Sequence, residues 1–129
     1  MRHLLPPLAC IALAACAAPA APRPAATFTL APGASATLAP GVTLTFEAAD
    51  DSRCPAGVQC IWAGALSYRF SIRRGGAAPE SFTLSPTAPE AAPGALAGTR
   101  ILLDTATIPA APAPGAAITY RATITLVPA

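Results

Sequence analysis

Leu66-Ser67-Tyr68-Arg69-Phe70-Ser71-Ile72-Arg73 alternates apolar and polar side chains over eight residues without a break. Successive side chains of a strand point to opposite faces, so Leu66, Tyr68, Phe70 and Ile72 form one apolar face, and the serines and arginines form a wet one. Such a half-buried strand belongs in an antiparallel sheet. Ile118, Tyr120, Ala122, Ile124 and Leu126 repeat the pattern against Thr119, Arg121, Thr123 and Thr125, and Val42, Leu44 and Phe46 do so against Thr43, Thr45 and Glu47. With the first strand drawn over 65–73, the other strands expected are 27–30, 35–38, 42–47, 58–62, 80–84, 100–107 and 118–127. Pro32-Gly33, Pro40-Gly41 and Gly75-Gly76 mark the reversals. No window carries a helical period, and the Ala-rich stretch 88–97 is broken by Pro89, Pro93 and Gly94. About seven or eight short strands in one unit, 27–129, predict an all-β fold: a single small antiparallel β-sandwich or a small closed barrel. The pattern leaves that choice open. The longer connections 85–99 and 109–117 read as plain connectors.

Composition limits what such a domain can do. The 129 residues are 53% hydrophobic with a mean hydropathy of +0.52, but 34 of them are Ala, which drives burial weakly. Within residues 27–129, Leu, Ile, Val and Phe number only 22 of 103, close to the roughly 20% level below which a chain struggles to close a core. The net charge is +2 and there is no Lys, so no basic field is available for a nucleic-acid backbone, and no nucleic-acid partner is expected.

The N-terminus reads as an address. Met1-Arg2-His3 is a short positive start, 4–15 is an apolar run too short to span a bilayer, and residues 1–15 therefore read as a signal peptide. Its end, Leu13-Ala14-Ala15-Cys16, resembles the bacterial lipobox at all four positions. The resemblance implies cleavage before Cys16, acylation of that residue and a firm lipid anchor in the membrane. Ala17, where an Asp would imply inner-membrane retention, points to the outer membrane, with the domain facing the periplasm. An ordinary signal cut near Ala18 or Ala20 is the alternative. Residues 16–26 are then the lipidated Cys and an Ala/Pro tether able to hold the domain roughly 30 Å from the bilayer. The chain that remains has no His, since His3 is its single one. Neither a His-based nucleophile nor a His-containing zinc site can be built, and no metal or cofactor is expected.

The densest chemistry lies in Asp51-Ser52-Arg53-Cys54-Pro55-Ala56-Gly57-Val58-Gln59-Cys60-Ile61-Trp62-Ala63-Gly64. Two thiols with five residues between them in an exported chain read as a disulfide, Cys54–Cys60, before a redox pair or a metal site. A C-x-x-C spacing is missing, and two thiolates alone do not make a soft-metal site. Asp50, Asp51 and Ser52 suit a turn cap, with a calcium site as the alternative, and Arg53 suits a partner for Asp50 or Asp51. Trp62, two residues beyond Cys60, is expected to pack on the disulfide in the core, against the alternative of stacking on a ligand. Arg69, Arg73 and Arg121 would form a cationic patch only if their strands were neighbours. The segment resembles the DSRCP-x-x-V-x-C-x-W-x-G motif of a family of small bacterial lipoproteins and exported proteins of uncharacterised function, matching every fixed position. In that family the residue after the motif is often polar or acidic, and Ala65 departs from this.

The functional expectation is a non-enzymatic binding or structural domain on the outer membrane, meeting an envelope protein or a cell-wall polymer. Its possible binding loop comprises Asp51, Ser52, Arg53 and Trp62. The alternatives are an inhibitor that blocks an envelope hydrolase with that loop, and a thiol redox sensor.

Overall fold

The computed structural model describes Cys16 and residues 26–128. The signal peptide expected at 1–15 and the tether residues 17–25 lie outside the described residues. Among the described residues eight strands form: β1 Thr27–Leu30, β2 Ser35–Ala39, β3 Val42–Asp51, β4 Leu66–Arg74, β5 Glu80–Leu84, β6 Glu90–Ala91, β7 Thr99–Leu103 and β8 Ala122–Pro128. They make two four-stranded antiparallel sheets, ordered β1-β8-β7-β6 and β2-β3-β4-β5. Among the described residues no strand pairing joins the two sheets, so the fold is an open sandwich and not a closed barrel. A disulfide, Cys54–Cys60, braces it.

The alternation of β4 sets the core as the sequence dictates. Leu66, Tyr68, Phe70 and Ile72 are buried and face Val42, Leu44 and Phe46 of β3 and Leu84 of β5, while Leu30, Ile101, Leu103, Ala122 and Ile124 close from the other sheet. Phe46 lies 4.9 Å from the Tyr68 ring and 5.0 Å from the Phe70 ring, a contact geometry that adds to simple area burial. On the outer faces, hydroxyl pairs such as Thr29–Thr123 and Ser35–Thr45 lie directly across from each other.

β3 carries a bulge. Phe46 pairs with Phe70 and Ala48 with Arg69, which leaves Glu47 as the extra residue. An extra residue exchanges the two faces of everything beyond it. Before the bulge the even-numbered side chains point inward; beyond it Asp51 shares its face with its buried cross-strand partner Leu66, and Asp50 points out to Arg69. The inward turn of Asp51 originates here.

Several expected elements differ. The strand expected over 100–107 ends at Leu103, where Asp104 caps a 3-10 turn, Thr105–Thr107, and the one expected over 42–47 continues to Asp51. Residues 58–62 form no strand. β8 begins at Ala122, because its neighbours run out there: Leu30, the last residue of β1, pairs with Ala122 and Leu103, the last of β7, with Ile124, so Tyr120 sits just outside the ladder. The connection 85–99 carries β6, paired with β7, and a 3-10 turn, Gly94–Leu96, that buries Leu96; it is structural, not a bare connector. Arg69 and Arg73 lie in one sheet, whereas Arg121 immediately precedes β8 in the other. The three therefore form no common patch, and Arg69 is paired with Asp50 at 2.7 Å.

The sandwich has two distinct ends. At one, Thr99 pairs with Pro128, Arg74 Nε donates to the Ala95 carbonyl and the Gly94 amide to Glu80. The chain enters toward this end, where the Ala26 carbonyl accepts from the Leu126 amide. The disulfide loop occupies the other.

Candidate functional site

The loop 52–65 joins β3 to β4 and is closed at its base. The Ser52 amide donates to the Ala65 carbonyl at 2.8 Å, and Ser52 Oγ both donates to that carbonyl and accepts from the Ala65 amide, each at 3.1 Å. One step further out the Cys54 amide donates to the Ala63 carbonyl at 2.9 Å. Gly64 permits this closeness: its φ is +72°, and a Cβ there would collide with the Ser52 carbonyl and come within 2.8 Å of Arg53 Cα. Only glycine fits both the conformation and the space. Above the clasp, Cys54 and Cys60 lie 5.9 Å apart at their Cα atoms and close the tip. The Val58 amide donates to the Pro55 carbonyl to make the turn.

A polar lock fastens this loop to the opposite sheet's connection. Arg53 donates to Asp51 in bidentate fashion, Nε to Oδ1 at 2.9 Å and Nη2 to Oδ2 at 3.0 Å, and its own amide reaches Oδ1 at 3.1 Å. Tyr120 adds its hydroxyl to Oδ2 at 2.8 Å. The remaining Arg53 arm donates from Nη1 to the Pro109 carbonyl at 2.8 Å, and the Ala56 amide donates to the Pro112 carbonyl. The two side chains of the ion pair are only 20% and 12% exposed, so the pair is far better shielded than an ordinary surface bridge.

The hydrogen bonds from Arg53 outweigh the opposing effect of burial and hold the Asp51 carboxyl at about 2. The same carboxylate raises Arg53. Burial pushes the hydroxyls of Tyr120 and Tyr68 up. Tyr68, whose ring meets that of Tyr120 edge-on at 6.2 Å, has a buried hydroxyl without a hydrogen-bond partner. Beside the ion pair lies a shallow cleft of about 210 Å³, bounded by Pro112, Ala116 and Tyr120. Asp51, Ser52 and Arg53 thus come together, but their polar atoms are spent on holding the loop. Ser52 is exposed and Asp51 and Arg53 are half-buried, so the three position the loop beside the apolar residues at its tip.

What is presented is apolar. Trp62 is 70% exposed, Ile61 fully exposed at 106% and Val58 42% exposed. The expected packing of Trp62 on the disulfide in the core does not occur. With 58–62 irregular instead of a strand, the parity that would bring Trp62 to the face of Cys60 is absent, and the aromatic part of the core is made by Phe46, Tyr68 and Phe70. These three are the large hydrophobic residues found exposed among the described residues, and all belong to one loop. Residues 54–65 contain no charged side chain.

Sequence reasoning missed Val58 and Ile61 as surface groups and Tyr120 as part of the lock. The signal for the first two was their spacing, which fits no strand face; for Tyr120 there was none, because its partner lies 69 residues away. Among the described residues no three His, Cys, Asp or Glu side chains gather to hold a metal ion. Cys16 is exposed and unbridged. No family model, curated protein or solved structure matches the chain.

Proposed function

We propose that this chain is a non-enzymatic envelope lipoprotein, anchored to the outer membrane through Cys16, whose sandwich holds out the loop 54–65 as a binding tip. One observation carries the reading: the exposed large apolar side chains are concentrated on a loop that a clasp, an ion pair and a disulfide hold in a single shape. Contiguous apolar surface is costly to leave in water and marks interaction sites. A loop ordered in advance also loses less entropy when it docks.

The test is a photo-crosslinking amino acid placed in the full chain in living cells, at Gln59 on the tip and at Thr43 on the outer face of β3. Adducts at Gln59 and none at Thr43 are expected. Equal yields at both sites, or none at either, would overturn the binding tip. The anchor has its own check: mass spectrometry of the mature N-terminus should find an acylated Cys16, and an unmodified peptide beginning after it would refute the assignment.

The same rigidity favours a second reading, inhibition of an envelope hydrolase by occlusion of its cleft. That reading is lost if the protein leaves envelope peptidases and muramidases fully active at micromolar concentration.

A further inference from the structure

Ile61 and Trp62 stand exposed on an uncharged loop that a clasp, an ion pair and a disulfide fix, and that arrangement constrains what can cover them. We infer that their partner is a folded protein with an apolar pocket wide enough for the two side chains, reached on the side of the domain away from its own membrane. The inference rests on the reading of the loop as a binding tip and names the class of partner.

Three observations carry it. The first is position. Tyr120, beside the loop, and Leu126, beside Ala26, are separated by six residues of nearly extended chain, roughly 20 Å. The tip lies further out still, at the end opposite to the one the chain enters. Ten residues lead from Cys16 to Ala26 and reach at most about 35 Å. To lay the tip on the bilayer that holds Cys16, this segment would have to double back along the domain and use most of its length. With the chain entering at the far end, an anchored domain presents Ile61 and Trp62 away from that bilayer unless the segment folds back along its flank.

The second is charge. Loops that enter a lipid surface combine apolar and aromatic residues with cations for the headgroups. Residues 54–65 carry none, and the adjacent Arg53 is fully engaged by Asp51 and the Pro109 carbonyl. A dry protein pocket makes no such demand, and a buried Trp surrounded by uncharged contacts is the commonest kind of interface anchor.

The third is shape. A knob needs a hollow, and the clefts among the described residues are open to solvent; one is edged by the Asp51–Arg53 pair and another by Glu47 and Arg69, which are bonded elsewhere. The more apolar cleft, beside Pro89, Leu102 and Leu103, is likewise open and bordered by Asp104, so none of them encloses an indole, and a second copy of the chain is disfavoured.

Trp62 is the only tryptophan, so its emission reports on the tip directly. In the full acylated chain reconstituted into phosphatidylethanolamine and phosphatidylglycerol vesicles, emission should be that of a water-exposed indole and should be unchanged by brominated acyl chains. Quenching by those lipids would overturn the inference. In living cells, a photo-crosslinker at Ile61 should give one discrete protein adduct, and Trp62→Ala should lower its yield about tenfold or more. The variant should melt within a few degrees of the parent, because Trp62 is outside the core. A lipid adduct, or one of twice the chain's mass, would sink the pocket while leaving the tip as a binding surface. A protein adduct indifferent to Trp62→Ala would sink the pocket as well, and no adduct at Ile61 or Gln59 would sink both readings.

Discussion

Replacing Asp51 by Asn separates the ion pair from everything else that titrates. Its carboxyl falls from 3.8 to about 2 because Arg53 and Tyr120 donate to the charged form. At 1.36 kcal/mol per pKa unit the shift corresponds to roughly 2 kcal/mol of folding stability, an upper figure since water and salt still reach the pair. For a depressed carboxyl this stabilisation is fully present above its unfolded pKa, so it is complete by pH 5 and is lost as pH falls through about 2. Urea unfolding followed by far-ultraviolet circular dichroism suits the measurement, because Trp62 is solvent-exposed in the folded protein and changes little. The stability gap between the parent and Asp51→Asn should narrow by roughly 2 kcal/mol between pH 5 and pH 2. Asp50→Asn is the control: its bridge to Arg69 is about half exposed on both sides, and its loss should change stability by less than about 1 kcal/mol. A gap for Asp51→Asn that stays constant across that range would refute the lock.

Gly64→Ala should be far more damaging than Gly57→Ala. Both glycines have positive φ, but a Cβ meets the Ser52 carbonyl at the first and open space at the second, so Gly57→Ala should cost about 1 kcal/mol and Gly64→Ala several times that in thermal melts. Equal costs would contradict the clasp. Substituting both Cys54 and Cys60 by Ser opens a loop of seven residues and should lower stability by roughly 2 kcal/mol while the strand signal in circular dichroism persists. Tyr68→Phe removes a buried hydroxyl that has no partner and should be neutral or stabilising by up to about 1 kcal/mol; a clear loss would mean that the hydroxyl is bonded after all.

Strong alternation was enough to read β4, β8 from Ala122 onward and the first half of β3, because a face buried along its length must repeat every second residue. It could not carry past Glu47, where one extra residue exchanges the faces and turns Asp51 inward. β6 was invisible because its two residues are held by pairing to β7 and not by any pattern of their own. The disulfide was legible from thiol spacing together with the expectation of export, and the Asp51–Arg53 pair from proximity along the chain. Tyr120 and the Pro109 carbonyl join the lock only through folding, so no local pattern could announce them.

The misplacement of Trp62 turns on how this thin core is built. With so few large apolar residues, a tryptophan beside a disulfide is the natural candidate for the interior. The interior instead closes on Phe46, Tyr68, Phe70 and the aliphatic residues around them, leaving Trp62 and Ile61 in water. Burying either would stabilise a marginal domain by about 1.5 to 3 kcal/mol. The chain forgoes that gain, and it further fixes the loop with the clasp at Ser52, the lock at Asp51 and the bridge at Cys54. Each of these orders the backbone around the exposed residues without covering them. A loop needed only to connect β3 to β4 could be short and polar, so the combination makes sense when the covering surface belongs to another molecule.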